Sequence, residues 1–315
     1  MPSINREHLK KLNAIEEKRF LDLHPKSGAL FEKAKGVMPG GVPMSWMAKW
    51  PGAYPIFVES AAGSHFTDVD GNKYIDFCLG DTGSMTGHSP AATVAAITEQ
   101  MKHGFTSMLP TEDAVVVSQE LANRFGFPLW QFTVTATDAN RHTIRYCRLI
   151  TGKSKIIVID KCYHGSVDET FATLDANGNT IKREGNLGAP VDLDQTTRVV
   201  EFNDLAGMEA ALAKGDVAAI LMEPAMTNIG IVLPEDGYLK AVGELAKKYG
   251  AIWIIDETHT ISVGAGGMTA MYGLKPDVLT IGKAIAGGIP TGTFGMTTEV
   301  AARIKEKTSR EIIDT

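Results

Sequence analysis

The chain reads as an α/β protein built on a mostly parallel sheet sandwiched by helices, and three observations predict it. From about residue 90 onward, short β-rich runs alternate with helical patterns, the runs being 132–135, 155–159, 217–222, 251–255 and 278–281. Alternation of this kind places helices over the faces of a parallel sheet. The run Ala251-Ile252-Trp253-Ile254-Ile255 is apolar throughout, as a strand buried on both faces requires. Polar, chemically competent residues follow the runs directly, where sheets of this class collect their ligands. With 315 residues and a hydrophobic fraction of 44%, the chain is long enough to bury a sizeable core.

The elements follow in order. Over residues 6–23, Leu9, Leu12, Ile15, Phe20 and Leu23 recur at helical spacing among Lys and Glu, predicting an amphipathic helix that Pro25 ends. A second helix is expected from Ser27 as N-cap to the Pro39-Gly40-Gly41 breaker. Pro55-Ile56-Phe57-Val58, the stretch around Phe66 and Tyr74-Ile75-Asp76-Phe77, with Asp70-Gly71-Asn72 as a turn, predict short antiparallel strands. The helices and the first of these strands form a lead-in over residues 1–60, ahead of a large domain over 61–315. No internal repeat, low-complexity tract or linker interrupts it.

Composition excludes several classes. A net charge of -6 without a dense Lys/Arg block argues against nucleic-acid binding, which needs concentrated positive charge. No apolar run is long enough to span a bilayer, so no membrane partner is expected. Cys78, Cys147 and Cys162 are odd in number and lack C-x-x-C pairing, which indicates reduced thiols and no metal site. The N-terminus turns charged at once and carries no apolar signal core, so a cytoplasmic protein is expected.

The strand ends carry Thr135-Ala136-Thr137-Asp138, Tyr163-His164-Gly165, Glu223-Pro224 with Asn228, Asp256-Glu257-Thr258-His259 and Gly282-Lys283. Asp256 emerges from a buried strand, where a carboxylate needs a partner: a protonated ring nitrogen, an Arg or a helix terminus. Backbone N–H groups at a helix start, such as the one after Val134 with the Thr135 and Thr137 hydroxyls beside it, suit an anion. Lys283 follows Asp256 by 27 residues and precedes a Gly-Gly-x-Pro loop. A lysine so placed is either a surface cation or an amine poised for covalent chemistry. Tyr163 is either core or a stacking platform, and Glu223 and Asn228 taken alone would serve as loop caps. His259 reads as a substrate contact or a hydrogen-bonded structural residue.

In order and spacing, this set over residues 36–300 resembles the class III aminotransferases, a group that includes glutamate-1-semialdehyde aminomutase and has the fold-type I architecture. The resemblance implies pyridoxal 5'-phosphate as cofactor, held as an aldimine by Lys283 with Asp256 on the pyridine nitrogen. It further implies Tyr163 on the ring face beside His164, Thr258 packed against the ring, Asn228 on the phenolic oxygen with Glu223, and the phosphate on 135–137. Ala136 stands where the family has glycine. After Pro39-Gly40-Gly41-Val42, Met44 and Met47 replace the aminomutase's serine and arginine. Methionine cannot bind a carboxylate bidentately, so Trp46 and Met47 either line an apolar substrate pocket or pack the N-terminal segment. The reaction implied is transfer of an amino group from a small-molecule donor to a keto or aldehyde acceptor, by a homodimer. Aminomutase or racemase chemistry on the same fold, and a non-catalytic binding subunit, are the other readings. The family's small C-terminal domain and a Gly-Thr motif beyond the lysine are expected to be absent here.

Overall fold

The computed structural model describes residues 4–104 and 106–308. The chain divides into two compact units, 1–103 and 104–315.

In the first unit, α1 (Arg6–Leu23) begins under Asn5, whose side chain accepts from the His8 N–H. Pro25 does more than stop α1. It opens α2 (Pro25–Ala34), because a first-turn position asks for no N–H. The expected N-cap at Ser27 is corrected accordingly. Asp70, distant in sequence, takes the Lys26 and Ser27 N–H groups, while the buried Ser27 hydroxyl accepts from Phe57 N. A three-stranded antiparallel sheet follows: β1 (Val58–Ala62), β2 (His65–Asp68) and β3 (Lys73–Ile75). β1 therefore starts where the sequence suggests a strand should end. The helices α3 (Ala91–Met101) and, in the second unit, α4 (Glu112–Phe125) come next.

The second unit is built on a seven-stranded sheet. Its strands are β4 (Leu129–Thr133), β5 (Lys155–Ile159), β8 (Thr197–Val200), β9 (Val217–Met222), β10 (Ile252–Asp256), β11 (Val278–Ile281) and β12 (Gly292–Met296). A hairpin of β6 (Ala172–Leu174) and β7 (Thr180–Lys182) lies between β5 and β8 in the chain. The sheet order is β4-β12-β11-β10-β9-β5-β8, and β12 alone runs against its neighbours. All residues of β9 and β10 are buried, the double-sided burial that an unbroken apolar run requires. Truncating one such side chain, Leu221→Ala for example, would cost about 2–5 kcal/mol. α5 (Ala136–Thr151) packs against β4, β9, β11 and β12 with α9 (Thr298–Thr308) beside it. α6 (Leu205–Leu212) and α7 (Tyr238–Tyr249) pack on one another and on β8 and β10. α8 (Gly267–Met271) lies in the segment between β10 and β11.

Every β-rich run read from sequence in this unit is a strand, with the first shifted back to 129–133. The expectation missed β8, the β6–β7 hairpin and β12, whose Gly-Thr-Phe-Gly-Met sequence lacks strand composition. No described helix is long and apolar enough to cross a membrane. Cys78 is exposed, Cys147 and Cys162 are buried, and all three are free.

Candidate active site

Six strands run in one direction, so their carboxyl ends share one edge of the sheet. The second-unit residues singled out above gather along it. The turn 135–138 follows β4, Tyr163 and His164 follow β5, Glu223 follows β9, Asp256 ends β10 and Lys283 follows β11. In the ladder Asp256 is level with Thr280, three residues before Lys283.

Asp256 is the electrostatic centre. It is 3% exposed, and its Oδ2 accepts from His164 Nδ1 at 2.9 Å and from Asn140 Nδ2 at 3.1 Å. Oδ1 accepts from the Thr258 N–H at 3.0 Å. Burial by itself would raise the carboxyl's pKa, but His164 and Thr258 outweigh it and hold the group at about 2. Burial would likewise strip His164 of its proton, while Cys162 and Asp256 beside it raise its pKa well above the ordinary value. Asn140 also donates to the His164 carbonyl at 3.1 Å and so ties helix to strand end. The sequence reading overlooked Asn140. It lies on the same helical face as the buried Thr143, Ile144 and Cys147, and a buried amide on a core-facing stripe was the available signal.

Lys283 occupies a single 3-10 turn with φ 49, a left-handed conformation that costs a non-glycine residue about 1–3 kcal/mol. Its Nζ lies 2.5 Å from His259 Nε2. Both residues are half-buried. Gly282 packs so closely on the turn at the start of α5 that a Cβ there would meet the Ala136 methyl at 2.7 Å.

At the start of α5, the Thr135 hydroxyl accepts from the Asp138 N–H at 3.2 Å and donates to the Asp138 carboxylate at 2.9 Å. It therefore serves as an N-cap. The N–H groups of Ala136 and Thr137 belong to the first turn, where no intrahelical carbonyl reaches them. Thr137 Oγ1 accepts from the Ser166 N–H at 3.1 Å and keeps its own proton to give. Gly165 has φ +81, and a side chain there would put Cβ 2.2 Å from the Thr137 hydroxyl. Only glycine lets the two loops meet.

Glu223 is 5% exposed; burial and the charge of Asp256 raise its pKa against His164 and Thr227. Thr227 donates to one Glu223 oxygen, and the other has no hydrogen-bond partner among the described residues. Asn228 donates to the Lys161 carbonyl at 3.1 Å, leaving its second amide hydrogen. Tyr163 is 43% exposed and stands edge-on to Phe171. Glu257 next to Asp256 is fully buried, taking the N–H groups of Met268 and Thr269 and the hydroxyls of Thr260 and Thr269. It anchors the chain beyond β10. Trp46 and Met47 belong to the first unit, on the turn Ser45–Lys49, with Trp46 edge-on to Trp50.

These residues fit a phosphorylated pyridine aldehyde. A carboxylate offers about four lone-pair positions, and three of those on Asp256 are taken, which leaves one for a ring N–H. The N-terminus of α5 offers the anion site, and Lys283 offers the amine at the end of the strand beside Asp256.

Residues 46–309 match the family described as aminotransferase class-III. The chain is 38% identical over 273 residues to a glutamate-1-semialdehyde 2,1-aminomutase of Methanocella arvoryzae, covering 85% of this chain and 64% of that protein. It is 35% identical to the one of Anaeromyxobacter dehalogenans, covering 88% of this chain and 66% of that protein. Among solved structures, a glutamate-1-semialdehyde-aminomutase of Pseudomonas aeruginosa superposes with TM-score 0.93 at 46% identity, covering 96% of this chain and 67% of that one. An omega-transaminase of Sphaerobacter thermophilus gives TM-score 0.82 at 29% identity, covering 87% and 64%. The chain thus spans just under two thirds of the length of these curated relatives.

Proposed function

The chain belongs to the class-III aminotransferase family, and from that premise we propose that it moves amino groups with pyridoxal phosphate held on Lys283. The observation that carries this reading is the convergence on one sheet edge of a buried, ionised Asp256, a lysine amine and a free helix N-terminus. When bound, pyridoxal phosphate supplies an aldehyde that condenses with amines and a ring that withdraws electrons from the bond being broken. The protein's residues do the rest. Asp256, kept anionic by His164, Asn140 and Thr258, would hold a proton on the ring nitrogen. The first-turn N–H groups of α5 and the Thr137 hydroxyl would bind the phosphate and set the ring's register. Tyr163 would cover one ring face and Thr258 pack on the other, while Asn228 and Glu223 orient the ring's edge. The Lys283 amine, once released, would carry a proton between the substrate carbon and the cofactor.

We read the reaction as transfer from a small-molecule amino donor to a separate keto or aldehyde acceptor, carried out by a homodimer. Met44 and Met47, where a serine and an arginine would grip a carboxylate, favour this over mutase chemistry, and Trp46 and Met47 would then line an apolar substrate pocket. Intramolecular aminomutase action is the second reading, favoured by the names and identity of the most similar relatives given above. Purified chain mixed with pyridoxal phosphate should develop a visible absorption band and, after borohydride, carry a stable pyridoxyl group on Lys283. Lys283→Ala should do neither. Absence of the modification in the wild-type chain would overturn the proposal. Turnover of a single amino substrate without any acceptor would decide for the mutase.

A further inference from the structure

The contact between Lys283 and His259 assigns the histidine a task that its place after Asp256-Glu257-Thr258 does not announce. We propose that His259 is the proton acceptor of Lys283: it takes the proton the ammonium must lose before its nitrogen can act as a nucleophile or base. The inference rests on the reading of Lys283 as the reactive amine.

Two nitrogens at 2.5 Å share one hydrogen, and both cannot be cationic without direct like-charge repulsion. One positive charge therefore serves the pair: while Lys283 is an ammonium, neutral His259 receives its hydrogen bond. The Nζ–H bond breaks first and that proton passes to Nε2; the lone pair left on Nζ then forms the bond to an electrophilic carbon. The imidazolium so formed holds the proton until a leaving hydroxide or the returning amine takes it back, so charge and atoms balance without a further reactant.

Other titratable groups along this edge make bonds of their own. From β10, Asp256 is bound to His164, Asn140 and Thr258, and Glu257 to Thr260, Met268 and Thr269. After β9, Glu223 accepts from Thr227 through one oxygen only, and at the start of α5 Asp138 accepts from Thr135. His164, beyond β5, is held by Asp256. Backbone geometry supports a built contact: the left-handed turn at Lys283 sets its side chain against a residue of the neighbouring loop at a conformational cost.

The test uses the cofactor-free chain. With histidines carrying a carbon-13 label, one of the 8 histidine signals disappears in His259→Gln and is thereby assigned. Its titration midpoint should lie at least about one pH unit lower in the wild-type chain than in Lys283→Met, because removing the ammonium lifts the repulsion. Separately, acetylation of Lys283 by trace acetic anhydride at neutral pH, followed by mass spectrometry, should be about tenfold or more slower in His259→Gln than in the wild-type chain. Lys240 in the same chain is the internal standard. Gln preserves a hydrogen-bond acceptor but cannot take a proton, so a purely positional role predicts no slowing. Equal midpoints, or equal acetylation rates, would overturn the proposal. If both shifts appear while the wild-type chain takes up no pyridoxal phosphate, the proton-transfer pair stands and the cofactor reading fails.

Discussion

At the scale of single residues, the site is organised around one charge. Asp256 carries its negative charge where water cannot reach it, and the three donors around it make that possible. Removing the carboxylate by Asp256→Ala should cost about 3–5 kcal/mol of unfolding free energy in urea titrations, because His164 and Asn140 would be left with buried, unmatched polar atoms. Since the folded pKa of Asp256 is about 2, below the ordinary aspartate value of 3.8, its contribution to stability is present above about pH 4 and lost as pH falls toward 2. His164 has the opposite sign. Its folded pKa is raised, so its contribution is complete below about pH 6.5 and fades as pH climbs through the raised value. Thermal melts should therefore show an acid limb between pH 4 and pH 2 that is shallower in Asp256→Asn. An unchanged limb would mean that other carboxylates dominate. Sequence alone showed that Asp256 needed a partner. It did not show which, because His164 and Asn140 lie 92 and 116 residues away.

At the scale of elements, two turns at the sheet edge determine one another. The start of α5 and the turn after β11 touch through Ala136 and Gly282, in a gap with no room for a second methyl. Gly282→Ala should cost about 1–3 kcal/mol through overpacking. It should also weaken pyridoxal phosphate retention by roughly tenfold, equivalent to about 1.4 kcal/mol, measured by equilibrium dialysis. If affinity held while stability fell, Ala136 would be packing alone. The apolar runs 217–222 and 278–281 were legible to the residue because burial on both faces leaves no other pattern. The strand β12 was not: its two glycines answer to neighbours across the sheet, such as the Trp130 ring against Gly295, and not to any local preference. α2 teaches the same lesson, since its capping group is Asp70 from another element.

At the scale of the whole molecule, much apolar surface is left uncovered. α1 has no buried residue, and Leu9, Leu12 and Ile15 are exposed along it, as are Val115, Val116 and Val117 on α4. Apolar patches of this kind mark association surfaces. Sedimentation velocity should accordingly find a dimer at micromolar concentration, and Leu12→Lys with Val116→Lys should shift it toward monomer. A monomer at every concentration tested would remove the homodimer from the proposal.

What the sequence determined by itself was the kind of sheet, the strands buried on both faces and the ordered set of strand-end residues, since each follows from patterns a few residues long. Its likeness to the aminotransferase family rested on that same order. Which atoms meet was decided only by the tertiary structure. The Asn140–Asp256–His164 bonds, the Ala136–Gly282 contact and the approach of His259 to Lys283 join segments that local preference cannot relate, because only the packing of parallel strands side by side brings their ends together.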